Sequence, residues 1–267
     1  MIERDVSKKG KTVIFNSYNE FIEFAKTKGV KSEASHKTKE GEWSGTKTWE
    51  EAVNLALNGW PEALDKIKDK IDLTRRTLSR NYDKPALVYD VSGSYPDVGL
   101  YLSGEPNCMV EFTTQETECC KVVYDTTVNC GISKKEMMKG GLEIIALVDT
   151  LEAMGYNTEV WWCMTTVTSN YKMYTKVRVK SPLQYWDPHT MAFSIGNPAM
   201  FRRFGFAFME AQTPEIRQKL NVGCGYGQQG CTDEEGDIKV DLKELVHDKN
   251  ENWIMDTLKE RGFLKCT

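Results

Sequence analysis

Histidine is scarce: the chain has three, His36, His189 and His247, in 267 residues. None stands by a serine or cysteine in a nucleophile motif, and Asp187-Pro188-His189 reads as a turn before a helix start. No Ser-His-Asp or Cys-His signature is present, which argues against hydrolases of those kinds. No apolar run approaches the roughly 20 residues needed to span a bilayer. Met1-Ile2-Glu3-Arg4-Asp5 has no apolar signal core, so a cytoplasmic setting is expected. No Cys-x-x-Cys pair occurs among the eight cysteines, and Cys224 and Cys231 have no second pair or nearby histidine, so zinc is not indicated. Free thiols are expected, several as small core residues, like Cys163 within Val160-Trp161-Trp162-Cys163-Met164. An excess of positive charge is also lacking: the net charge of -4 argues against a globally basic nucleic-acid binder. The Gly-rich stretch Gly223–Gly230 lacks both a lysine and the Gly-Lys-Ser/Thr ending of a phosphate loop, and reads as a flexible loop.

What is present is ordinary globular composition, 40% hydrophobic and 28% charged, enough for a substantial core. Three regions follow from the pattern. Residues 1–80 read as a helical and extended N-terminal region packed on the core. Thr12–Phe15 is a strand candidate, and Ser17 with Glu20 and Thr48 with Glu51 mark helix starts. Residues 30–47 read as a long exposed loop. Glu62–Ser79 reads as an amphipathic helix with Leu64, Ile67, Ile71, Leu73 and Leu78 apolar. Residues 81–212 read as an α/β core. Its strands are Ala86–Tyr89, Cys108–Phe112, Cys119–Val128, Glu159–Met164 and Tyr171–Lys180, with a long helix from Ser133 to Met154 stopped by Gly155. Pro198–Ala211 reads as a helix with an apolar face. Residues 213–267 add the Gly-rich loop, a short strand Ile238–Leu242 and a closing helix Glu251–Arg261. Strands and helices in this order predict an open α/β sheet, with ligands at the carboxyl ends of its strands.

The most ordered chemical pattern is Asp90-Val91-Ser92-Gly93-Ser94, directly after Ala86-Leu87-Val88-Tyr89. One carboxylate and two hydroxyls at the end of a buried strand form a hard oxygen donor set, suited to Mg²⁺, Mn²⁺ or Ca²⁺. The competing reading is a turn in which Asp and Ser satisfy their own backbone. This Asp-x-Ser-x-Ser pattern resembles the metal-ion-dependent adhesion site of von Willebrand factor A (VWA) domains, over roughly residues 85–180. The resemblance implies a VWA-like, Rossmann-type open sheet with helices on both faces, extended by N-terminal and C-terminal helical additions. It also implies a site holding Mg²⁺ or Mn²⁺ on Asp90, Ser92 and Ser94, completed by a threonine from a second loop and an aspartate from a third. Ser133 is the nearest candidate for the second, and Trp162-Cys163-Met164-Thr165-Thr166 offers no aspartate for the third. A wider resemblance rests on Asn58-Gly59-Trp60-Pro61, Asp90–Ser94, Tyr101-Leu102-Ser103-Gly104-Glu105-Pro106 and Pro198-Ala199-Met200-Phe201-Arg202-Arg203. These are similar to an uncharacterised family of tailed-bacteriophage proteins, which implies expression in an infected bacterial cell.

Two basic groups complete the candidates. Tyr171, Lys172, Tyr174, Lys176 and Arg178 alternate along one strand, either as a single-stranded nucleic-acid platform or as an exposed, lysine-protected edge. Arg202 and Arg203 read either as a phosphate or acidic-partner contact or as a solvated helix face. The leading expectation is a non-enzymatic protein-interaction role, as an adaptor or a host-takeover or anti-defence factor, with a protein partner at the carboxyl edge. A nucleic-acid-binding accessory factor of phage transcription or replication is the first alternative, and a metal-dependent phosphate-processing enzyme using Asp90 the second.

Overall fold

The structure is a computed structural model that describes residues 1–7, 9–29, 34–37, 41–81, 87–92, 95–112, 118–248 and 250–264. Its strands are β1 (Ile2–Ser7), β2 (Gly10–Phe15), β3 (Leu87–Asp90), β4 (Tyr95–Pro96), β5 (Met109–Phe112), β6 (Cys119–Asp125), β7 (Asn157–Val167), β8 (Lys172–Lys180), β9 (Gln228–Gln229) and β10 (Ile238–Asp241). The helices before β6 are α1 (Tyr18–Lys28), α2 (Ala34–Lys37), α3 (Gly41–Ser44), α4 (Trp49–Asn58), α5 (Leu64–Asn81) and α6 (Val98–Leu102). After it come α7 (Lys134–Ala153), α8 (Pro188–Gly196), α9 (Phe206–Glu210), α10 (Pro214–Lys219), α11 (Leu242–Leu245) and α12 (Trp253–Glu260).

The central sheet is mixed α/β, in the order β1-β2-β8-β7-β6-β10, with β9 added to β7. Strands β10, β6 and β7 run parallel, β8 is antiparallel to β7, and β2 is parallel to β8. Each of the three sequence regions therefore supplies a strand to one sheet. Helix α7 forms as its sequence dictates. Ser133 accepts from Glu136 N and the Glu136 carboxylate reaches back to Ser133 N, a reciprocal capping box. Met137, Gly141, Ile144, Val148 and Leu151 are its buried stripe, and Gly155 ends it at φ 95°. It packs on α5 and α8, and Arg75 of α5 grips buried Asp149 with two hydrogen bonds of 2.7 and 2.9 Å.

Several expectations are corrected. The core draws on one face of the sheet: Cys120, Val122 and Tyr124 of β6, Val160, Trp162 and Met164 of β7, Met173, Val177 and Val179 of β8. The buried helical residues join this same cluster, so the described helices cover one face rather than both. The opposite face is crossed by the extended segment 230–237, where Gly236 lies against Lys121 and Val123. Strand β3 does not enter the central sheet. It pairs antiparallel with β5 in a separate three-stranded sheet, β3-β5-β4, and Tyr89 is exposed. Residues 30–47 are not an exposed loop where described: the segment forms short helices α2 and α3, and Ser35 of α2, Ser44 of α3 and Thr46 are buried. Leu73 points to solvent, although Ile67, Ile71 and Leu78 of the same helix are buried. The 198–211 helix holds a π-helical turn at Met200–Gly205. No described helix is long and apolar enough to cross a membrane.

Candidate ligand cleft at the carboxyl end of the sheet

Strand β6 pairs with β7 only as far as Asp125↔Cys163. Beyond that point the chain leaves the sheet through Thr126–Ile132, and β9 takes the vacated edge of β7 at Thr166 and Val167. The divergence opens a cleft of about 520 Å³. Its floor is Thr127–Cys130 and Thr166, its roof the glycine loop Gly225–Gln229, and its back wall Trp43, Phe201, Arg202, Phe206 and Met209. The roof lies close because Gly227, at φ 73°, has no side chain: a Cβ there would stand 2.6 Å from Thr166 Cγ2. Tyr226 stacks on Phe206 with ring centroids 4.4 Å apart and planes 7° apart.

Arg202 is the one cation among the described residues that line this cleft, and it is 2% exposed. It donates to the carbonyls of Trp43 (2.7 Å) and Ile132 (2.6 Å), and its guanidinium lies 4.5 Å from the Trp43 ring centroid. Its Nε has no partner, and no carboxylate among the described residues pairs with it. Burial pushes its pKa down to about 10. Arg203, wholly buried, turns the other way and binds Thr46 Oγ1, Thr46 O, Ser44 Oγ and Ser35 O at 2.7–3.1 Å. The arginine pair is thus neither a solvated helix face nor an exposed patch: Arg203 ties down the 35–46 segment, and Arg202 faces the cleft.

Thr127 joins the cleft to a buried row on the far side of the sheet. Its hydroxyl donates to Asp125 (2.6 Å) and accepts from Thr165 N (2.7 Å). Asp125, 1% exposed, also accepts from Thr127 N and from Thr232 N of the crossing segment. Desolvation, with a smaller contribution from Asp241 on neighbouring β10, raises its pKa to about 6 against the pull of those donors. Asp241 in turn pairs with Lys243 (3.0 Å), whose ammonium also lies 2.9 Å from Cys231 Sγ.

The residues singled out from sequence fall in different places. Asp90, which ends β3 of the small sheet, and Ser92 in the bend after it are exposed, with Asp90 Oδ1 accepting from Val91 N at 2.6 Å, and Ser94 lies outside the described residues. Ser133 sits in the loop after β6, where its hydroxyl caps α7. No hydrogen bond joins it to Asp90 or Ser92 among the described residues. Strand β8 is interior, between β2 and β7, so the edge reading of Tyr171–Lys180 is corrected. Tyr171 is buried and Lys172 exposed. Tyr174 is half-buried, Arg178 bonds Asn16 O at 3.0 Å, and Lys176 is buried between Asp233 (2.8 Å) and Glu234 (2.7 Å) of the crossing segment. Acidic residues thus answer the charge at the centre of that strand. No group of three or more His, Cys, Asp or Glu placed to hold a metal ion occurs among the described residues. Of the cleft residues, Arg202 is the one singled out from sequence as a candidate contact; the others form no short motif, although Asp125-Thr126-Thr127 beside them repeats the Asp-x-hydroxyl pattern after an apolar strand.

Comparison with known proteins gives one result: residues 4–264 match the family described as a domain of unknown function (DUF7192). No curated protein and no solved structure matches the chain.

Proposed function

We propose, for a chain that belongs to the DUF7192 family, a non-enzymatic recognition role carried by the cleft at the carboxyl end of a VWA-like sheet. The order β8-β7-β6-β10, with three parallel strands, supports the VWA-like reading, and ligands of such sheets sit outside the carboxyl ends of the strands. Asp125-Thr126-Thr127 supports it better than Asp90–Ser94 does: it ends a central strand, is followed by the long helix α7 and then β7, and has Asp241 beside it on β10. Thr165 and Thr166, at the end of β7, stand where the resemblance places the third-loop residue, and neither is the aspartate it calls for. These residues do not fit a divalent ion. The Asp125 oxygens are turned on three N–H and O–H donors, and the Lys243 ammonium already neutralises Asp241. Recognition is therefore direct, through protein side chains. The tailed-bacteriophage resemblance supports placing that role in an infected bacterial cell, as an adaptor or a host-takeover or anti-defence factor.

The observation that carries the reading is the cleft itself: about 520 Å³, within the range of ligand sites, with one buried arginine and no histidine among its described lining residues. Gln228 is exposed on β9 at its rim, a position where tryptophan suits a strand. Gln228→Trp is expected to fill the mouth while leaving the melting temperature within a few degrees of wild type. Affinity capture from infected-cell extract, compared between the two proteins by mass spectrometry, checks this. A partner held by the wild type and lost by Gln228→Trp supports the role, and identical captures overturn it.

A further inference from the structure

We propose that the cleft selects an anionic ligand, a carboxylate or phosphate carried on a flat apolar body, with the anion held by Arg202; this rests on the cleft being the recognition site. A guanidinium has five N–H donors. Arg202 spends its described hydrogen bonds on two neutral carbonyls, leaving Nε without a partner. A buried charge answered only by peptide dipoles and the Trp43 ring, with no carboxylate, is costly, and a ligand oxyanion offsets that cost while gaining charge-assisted hydrogen bonds. The walls suit the rest of such a ligand: Trp43, Phe201, Phe206 and Tyr226 line the same cleft with ring surface.

The rival sites lack this imbalance. A second cleft of about 510 Å³, beside Tyr18 and Met191, contains Arg178, but that side chain is half-exposed and already meets Asn16 O and Glu159. The Cys231–Lys243–Asp241 trio neutralises itself.

The test titrates 1-naphthoate, 1-naphthyl phosphate and uncharged 1-naphthamide into the full chain by calorimetry. At least one anion is expected to bind at one site about tenfold or more tighter than the amide, and the tighter of the two assigns the oxyanion. Arg202→Met is expected to abolish that preference, and Arg202→Lys to retain part of it. The wild-type comparison stands even where Arg202→Met fails to fold. Equal affinity for amide and anions, or no binding of any probe, overturns the ligand class. If capture still depends on Gln228 in that case, the recognition role survives and only the anion assignment falls. Anion binding with a capture indifferent to Gln228 keeps the ligand class and removes the partner-recognition role.

Discussion

Gly141→Ala is expected to lower stability by about 2–3 kcal/mol, the upper range for overpacking a core. Helices α7 and α8 meet there backbone to backbone. A Cβ on Gly141 would stand 2.4 Å from Gly196 Cα and 2.8 Å from Ile195 O. Neither atom is the end of a side chain, so relief requires moving a helix. Alanine's better helix propensity, about 1 kcal/mol over glycine, offsets only part of this. Gly140→Ala is the internal control. Its Cβ would meet Leu242 Cδ1 at 2.3 Å, the tip of a side chain that can rotate away. Urea unfolding of the three proteins should rank wild type and Gly140→Ala well above Gly141→Ala. A Gly141→Ala protein as stable as wild type would show that α7 and α8 are not packed this closely.

The second large effect is a pH dependence from Asp125. Burial raises its pKa to about 6, from an ordinary value near 4. The folded state thus holds the proton more tightly than the unfolded chain does. The associated stability is fully present below about pH 4 and is lost as pH rises through about 6. Two pKa units correspond to roughly 3 kcal/mol. Asp125→Asn cannot titrate, so its stability relative to wild type isolates this group from the other carboxylates. Between pH 4 and 7 the wild type should lose about that much against Asp125→Asn, with little further change above pH 7. A difference that stays constant across the window would place the Asp125 carboxylate in contact with water.

The sequence was most legible where one local rule decided the structure. Ser133 with Glu136, Ser17 with Glu20 and Thr48 with Glu51 marked helix starts, and each cap forms. The stripe Met137–Leu151 is buried as its spacing requires. Strands 12–15, 159–164 and 171–180 were also visible, but their neighbours were not. The alternation Tyr171–Lys180 suits an edge strand, and nothing local reveals that β2 pairs in parallel with it across more than 150 residues. Lys176 looks exposed because the acids that cover it, Asp233 and Glu234, arrive from a distant segment. Asp90–Ser94 drew attention by its regularity, yet its strand belongs to the small antiparallel sheet. The cleft was hidden for the same reason: Trp43, Thr127, Arg202 and Tyr226 come from four separated segments. The burial of Arg202 depends on carbonyls at Trp43 and Ile132, and no residue pattern encodes that placement.

Hydrogen exchange tests the central claim most directly. The full chain is compared alone and saturated with its captured partner or, where that is small, with 1-naphthoate. Slowed exchange confined to residues 127–130, 201–206 and 225–229 is the predicted result. Protection centred on 87–92 or on 172–180, with the cleft segments unchanged, would contradict it.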